Sequence, residues 1–293
     1  MTSLVRVLVP GDEAALARFF ELYPDTTLFF QNNLAAAGLS DSGAPYSGRY
    51  AAALEDDAIV ALASHTWNGN LIVEAPRHLE SVARAAIGAS DRAVAGLVGP
   101  HAQVVALRGA LGLADAPTTL DSPDELFALP LERLWIPDAL ARGAWRCRPP
   151  RQDELDLLSA WREEYRCEVI GETAGPVLRA KAREEIDRNQ VDGRNFVLEV
   201  GGGLVSFAGY NAATPHCVQI GGVWTPAALR SRGYARAVVA GALVAARERG
   251  VARSILFTGA HNRAAQVAYR ALGYECVGDY GLVLFETPQR VDA

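Results

Sequence analysis

The stretch Arg230-Ser231-Arg232-Gly233-Tyr234-Ala235 places two cations and a glycine directly ahead of a long periodic run of apolar residues. Ala235, Val238, Val239, Ala242, Leu243 and Ala246 recur at helical spacing, so the run reads as an amphipathic helix with one buried face. The first amides of a helix lack internal partners and carry the positive end of the peptide dipoles, so cations there are disfavoured. Arg230 and Arg232 make chemical sense at that end when a strong anion lies among them. Gly233 suits the same role, because a side chain would stand between a phosphate oxygen and the backbone. A pyrophosphate is a ligand that would account for both arginines. The alternative is a solvated loop in which Gly233 only eases a turn.

The elements that would hold this loop can be read on either side of it. CVQIGGVWT (217–225) is a strand ending at Thr225-Pro226, RSILFTG (253–259) is a second strand, and NRAAQVAYRALGY (262–274) is a helix. Asn262 and Tyr269 are seven residues apart, two helical turns, and share one side of that helix. Upstream, WRCRP starts as a strand, two helices cover DELDLLSAWREEYRCEVIG and GPVLRAKAREEIDRN, and NFVLEV and LVSFAGYN are strands around Gly201-Gly202-Gly203. ECVGDYGLVLFE closes the chain as strands. The first half has a similar order: strands at 4–9, 49–54, 58–64 and 71–75, helices at 11–23, after Pro76 and at 101–113, and a turn-rich segment at 114–124. GPHAQVVALRGALGL (99–113) reads like GAHNRAAQVAYRALGY (259–274), which supports a duplicated unit. PDALARGA (137–144) is the natural linker, giving domains at 1–136 and 145–293 in an α/β (α+β) chain.

The order strand, Pro-containing turn, R-S-R-G-Y-A, amphipathic helix, strand and N-x-x-A-x-x-x-Y-x-x-x-G-Y resembles the GCN5-related N-acetyltransferase (GNAT) family over about 219–274. The resemblance implies two tandem acyl-CoA N-acyltransferase-like domains, each a mixed, mostly antiparallel sheet flanked by helices. It also implies acetyl-CoA as co-substrate and a primary amine, small molecule or peptide, as acceptor. In that family the corresponding loop binds the coenzyme pyrophosphate, which assigns Arg230, Ser231, Arg232, Gly233, Tyr234, Ala235 and Arg236 to it. Ala235 stands where a glycine is frequent. Val223, Trp224 and Thr225 would offer backbone groups to the pantetheine arm, with Asn262 and Ala265 beside it, and Tyr269 would be the general acid for the departing sulfur. Many relatives carry a glutamate where this chain has Gln219, which cannot accept a proton at neutral pH. His216 and Glu172 are the candidate bases, and a water relay or an already neutral amine removes the need for either. The first half lacks R-x-x-G-x-A and has Arg108 near the tyrosine position, so it reads as a degenerate copy.

Composition narrows the function further. A formal charge of -6, with Lys181 the only lysine, disfavours a nucleic-acid surface or a basic membrane anchor. Cys147, Cys167, Cys217 and Cys276 form no C-x-x-C pair, so no metal site is expected and reduced, cytoplasmic thiols are. The chain start lacks a signal-peptide pattern, and the longest apolar stretch, 237–246, is too short to span a bilayer. Acetyl transfer to an amine by direct attack is the leading reading. A non-catalytic acyl-CoA sensor and an aminoacyl or longer-acyl transferase of the same fold are the alternatives.

Overall fold

The computed structural model describes residues 4–291. The chain runs β1 (Leu4–Val7), α1 (Glu13–Leu22), α2 (Leu28–Ala37), β2 (Gly48–Glu55), β3 (Ala58–Thr66), β4 (Asn70–Glu74), α3 (Leu79–Gly88), β5 (Val94–Pro100), α4 (His101–Ala110) and β6 (Thr118–Pro130). It continues as α5 (Asp138–Ala141), β7 (Trp145–Arg148), α6 (Leu155–Tyr165), a π-helical turn over Arg166–Ile170, α7 (Pro176–Val191), β8 (Asn195–Val200) and β9 (Gly203–Ala213). Then follow β10 (Cys217–Trp224), α8 (Tyr234–Glu248), β11 (Arg253–Gly259), α9 (Arg263–Arg270) and β12 (Glu275–Gln289). These elements form two compact units. The first holds the described residues up to Glu125 and those from Gly278 onward, and the second is Leu126–Val277.

In the first unit the strand order is β1-β2-β3-β4-β5-β12, and β4–β5 is its parallel pair. Strand alternation sends Ala51, Ala53, Ala61, Ala63, Leu71 and Val73 to one face, where Val82, Ala83, Ala86 and Ile87 of α3 cover them. Just before β6, the Pro117 carbonyl accepts from the Glu286 amide of β12 at 3.0 Å.

The second unit repeats the plan in the order β6-β11-β10-β9-β8-β7, with β10–β11 parallel and joined by α8. From Val238 onward the face of α8 predicted from spacing is the buried one: Val238, Val239, Ala242, Leu243 and Ala246 pack on Phe196, Leu198, Ala208, Val218 and Ile220, whereas Ala235, expected on that face, is only partly buried. Contact is close because α8 meets β7 through Gly241, where a Cβ would lie 2.1 Å from Cys147 Cβ. The opposite face of the sheet is covered by α6 and α7 through Leu155, Leu158, Trp161 and Ile186 against Val197, Phe207 and Trp224. The fold is thus the expected α/β type, with a mixed, mostly antiparallel sheet in each unit.

Several elements depart from the sequence reading. Residues 118–124, expected as turns, are the first part of β6, and α2 was not expected at all. In β6 the turn formers alternate with the pleat: Asp121 and Pro123 face out, while Ser122 and Asp124 are buried and hydrogen-bond each other. Tertiary pairing overrides local preference there. Gln31, Asn32 and Asn33 weaken the helical signal of α2, yet Leu28, Phe30, Asn32 and Asn33 are buried. Residues 137–144 include α5 and lie inside the second unit, and the chain from Gly278 onward lies in the first.

Candidate functional site

The site begins where two parallel strands part. β10 and β11 are in register from Cys217↔Arg253 to Gln219↔Ile255, after which Ile220–Trp224 and Leu256–Gly259 continue with no mutual pairing. Backbone groups on that part of β10 therefore face a gap at the carboxyl ends of the strands, where open α/β sheets hold ligands. A cleft of about 590 Å³ lies along this gap.

Most of the residues singled out from sequence line this one cleft: Val223, Trp224, Thr225, Arg230, Ser231, Gly233, Tyr234, Ala235, Arg236, Asn262, Ala265 and Tyr269. Gly233 caps α8 at φ +81, and a Cβ there would meet only Arg236 Nη2, at 3.8 Å. The first-turn amides of α8 thus open towards the cleft beside the Arg236 guanidinium. Ser231 also takes positive φ, +63, which bends the loop around this corner. Asn262 caps α9, its Oδ1 accepting from the Ala265 amide at 3.2 Å.

The two loop arginines sit differently from the sequence expectation. Arg230 is paired with Glu168, its Nη1 2.7 Å from Oε1; Nε donates to Thr225 O at 3.0 Å, and the guanidinium stacks on the Trp224 ring at 4.8 Å. Arg232 lies outside the cleft lining, exposed, with Nη2 3.4 Å from Ala228 O. Glu168 was not singled out from sequence. Its signal is faint, since it lies four residues before Glu172 in the same EVIGETAG segment. The π-helical turn that ends α6 brings it and Val169 to the cleft wall.

Tyr269 is half-buried at the cleft, its ring packed on Phe127 and Tyr274 with centroids 6.5 and 6.0 Å away. Burial, helped by the nearby Tyr165 phenol, raises its pKa well above that of a free phenol. It is therefore a proton donor at neutral pH, as a general acid must be.

The candidate bases do not gather here. Glu172 is bonded to Arg166 and to Lys181, the latter at 3.1 Å; burial works to raise its pKa, but the Arg166 and Lys181 contacts outweigh it and the net shift is downward. His216 is exposed in the turn before β10, where its carbonyl accepts from the Arg253 amide at 3.2 Å. Gln219 is 1% exposed, and its Oε1 has no hydrogen-bond partner.

The equivalent corner of the first unit is filled by the chain itself. The Ala75 amide after β4 donates to Gln103 Oε1 at 2.6 Å, and a Cβ on Gly99 of β5 would be 2.5 Å from Val73 O. At the start of α3, Arg77 and His78 both pair with Glu55, at 3.2 and 3.0 Å. Among the described residues no group of His, Cys, Asp and Glu is arranged to hold a metal, and no helix is long and apolar enough to cross a membrane.

Over the full chain, a Drosophila protein of solved structure superposes with TM-score 0.68 at 10% identity, covering 97% of this chain and 99% of that one. A GCN5-related N-acetyltransferase from Sphaerobacter thermophilus gives 0.56 at 16% identity, covering 99% and 98%. A tandem GNAT protein from the clavulanic acid biosynthesis pathway gives 0.54 at 14% identity, covering 99% and 100%. These likenesses establish a shared fold. No curated protein matches the sequence. Residues 156–274, which contain the cleft, match the model of the acetyltransferase (GNAT) family. Residues 156–274 thus form a GNAT-family acetyltransferase domain, and the chain as a whole shares the fold of a tandem GNAT protein.

Proposed function

We propose that the chain transfers the acetyl group of acetyl-CoA to a primary amine by direct attack, with the cleft of the second unit as the donor site. One observation carries this reading: the unpaired edge of β10, the open amide corner at Gly233 and the Tyr269 phenol line a single cleft. The residues fit the coenzyme. The α8 amides and Arg236 would hold the diphosphate, and the backbone of Val223–Thr225 with Asn262 and Ala265 would align the arm. When bound, acetyl-CoA supplies a thioester. The amine nitrogen forms the new C–N bond as the C–S bond breaks, Tyr269 Oη gives its proton to the departing sulfur, and the amine releases one to solvent.

The first unit, with its corresponding corner occupied by Gln103 and Glu55, serves as a copy without coenzyme. The four cysteines are in the thiol form, which fits a reducing, cytoplasmic setting. Thiol release from acetyl-CoA with a panel of primary amines tests the reading. Amine-dependent release that falls sharply in Tyr269→Phe is expected. Saturable coenzyme binding with no release for any amine would replace the enzyme with a sensor.

A further inference from the structure

Polar side chains crowd onto two glycines just upstream of the cleft. β9 and β10 each carry an extra residue in this region. On β9 it is Asn211, between the pairs Gln219↔Ala212 and Ile220↔Tyr210; on β10 it falls between Gly221↔Gly209 and Trp224↔Phe207. Gly222 takes φ +59, open to glycine at little cost. A Cβ on Gly221 would lie 2.0 Å from Asn211 Nδ2, and one on Gly222 2.5 Å from Arg162 Nη1. The absent side chains are what let an amide from β9 and a guanidinium from α6 rest on neighbouring residues of the strand.

The hydrogen bonding around these groups is incomplete. Arg162 is 8% exposed and holds Glu185 Oε1 through Nη2 at 2.5 Å, while its Nε is buried without a partner. Glu185 is shared with Arg166, whose Nη1 is 3.2 Å from Oε2. Gln219 sits two residues before Gly221 on the same face of β10, and its buried Oε1 has no partner either. A buried donor and a buried acceptor left unmade are costly, and native proteins keep few of them. Asn211 beside them is exposed, so the cluster has a solvent side. Trp224 of the cleft lies only two residues beyond Gly222, about 7 Å along the strand.

We infer that this cluster is the acceptor subsite and that it selects an amine bearing a carboxylate close to the nitrogen, an α-amino acid. Arg162 and Asn211 donate to the carboxylate oxygens, and Gln219 Oε1 accepts from the amine N–H. Gln219 and Gly221 lie two residues apart on one face of β10, which puts the acceptor oxygen and the two donors in one neighbourhood. Gln219 then orients the nucleophile without taking its proton. This inference rests on reading the adjacent cleft as the acetyl donor site.

The test uses the full chain and two matched series: glycine, alanine and leucine against methylamine, ethylamine and isopentylamine. Thiol release from acetyl-CoA is measured for each, and ligand-observed NMR measures binding of each with and without CoA. The expected result is kcat/KM about tenfold to a hundredfold higher for the amino acids, the range for a charge-assisted hydrogen bond. Asn211→Ala and Arg162→Lys should shrink that ratio about tenfold or more; the lysine keeps a cation beside Glu185. Equal turnover of the two series, or a ratio unchanged in both variants, overturns the inference. If no amine of either series releases thiol, the donor reading fails, and binding decides the subsite alone. Amino-acid binding that weakens in Asn211→Ala supports it, and no binding with or without CoA overturns it.

Discussion

Arg230 and Glu168 form a two-point ion pair at the cleft, Nη1 lying 2.7 Å from Oε1 and Nη2 donating to Oε2 at 2.9 Å. The hydrogen bond from Arg230 holds the Glu168 carboxyl below its ordinary pKa, against a smaller opposing effect of burial. Glu168 therefore occupies the cation that the sequence assigns to a phosphate. An incoming diphosphate must compete with it. Partly exposed pairs of this kind contribute about 0–1 kcal/mol, so Glu168→Gln is expected to tighten coenzyme binding up to about fivefold in calorimetry. Arg230→Ala should weaken it, and both effects should shrink at high salt. An affinity unmoved by either substitution would remove Arg230 from the phosphate site.

Tyr269→Phe keeps the ring contacts with Phe127 and Tyr274 and removes only the proton donor. Thiol release should fall about 10²- to 10⁴-fold while the coenzyme Kd stays within about twofold. Because burial and the nearby Tyr165 phenol raise the Tyr269 pKa, the wild-type rate should show no limb from this group between pH 6 and 9. A basic limb in that range that vanished in the phenylalanine variant would contradict the raised value.

Acid stability is expected to depend on the junction between β7 and α6. Arg148 donates to Glu154 through Nη1 at 2.7 Å and Nη2 at 2.6 Å, and the Arg151 amide donates to Glu154 at 2.7 Å. The hydrogen bonds from Arg148 are the main cause pulling the Glu154 pKa from 4.5 to about 2. The folded-state value is the lower one, so the stabilisation is present above the unfolded pKa and is lost as pH falls from about 4.5 towards 2. Glu154→Gln should cost about 1 kcal/mol at neutral pH, allowing for solvent around the pair, and little near pH 2. In Tm against pH its acid limb should be shallower than that of the wild type, and parallel limbs would exclude this carboxylate as a source.

Calorimetry with acetyl-CoA should return one site per chain. In the first unit the Ala75–Gln103 hydrogen bond and the contact of Gly99 with Val73 fill the place equivalent to the gap that β10 and β11 leave open in the second. Gln103→Ala should leave the stoichiometry at one, because Gly99 still closes the strands. Two sites in the wild-type chain would show that the first unit has kept a coenzyme pocket.

The site was legible in the sequence to the extent that its parts are local. Helical periodicity located α8, glycine located the open corner at Gly233, and the Asn262–Tyr269 spacing placed both residues on one wall. Partners distant along the chain were not legible. Glu168 meets Arg230 across 62 positions, and Arg162 meets Gly222, 60 positions on, where the strand carries no side chain. The fold shows the same division. Alternation gave most elements, whereas β6, with Asp121, Ser122, Pro123 and Asp124 in its first half, is a strand because strands distant along the chain flank it.

That arrangement has a consequence for biosynthesis. Because the first unit takes its final strand from Gly278 onward, β5 keeps a bare edge until the ribosome has read through the whole of Leu126–Val277. The intervening unit is continuous and is complete before that strand emerges, reversing the usual progression in which the earliest-made domain closes first. Clipping the chain after Val277 should therefore loosen the half that was translated first.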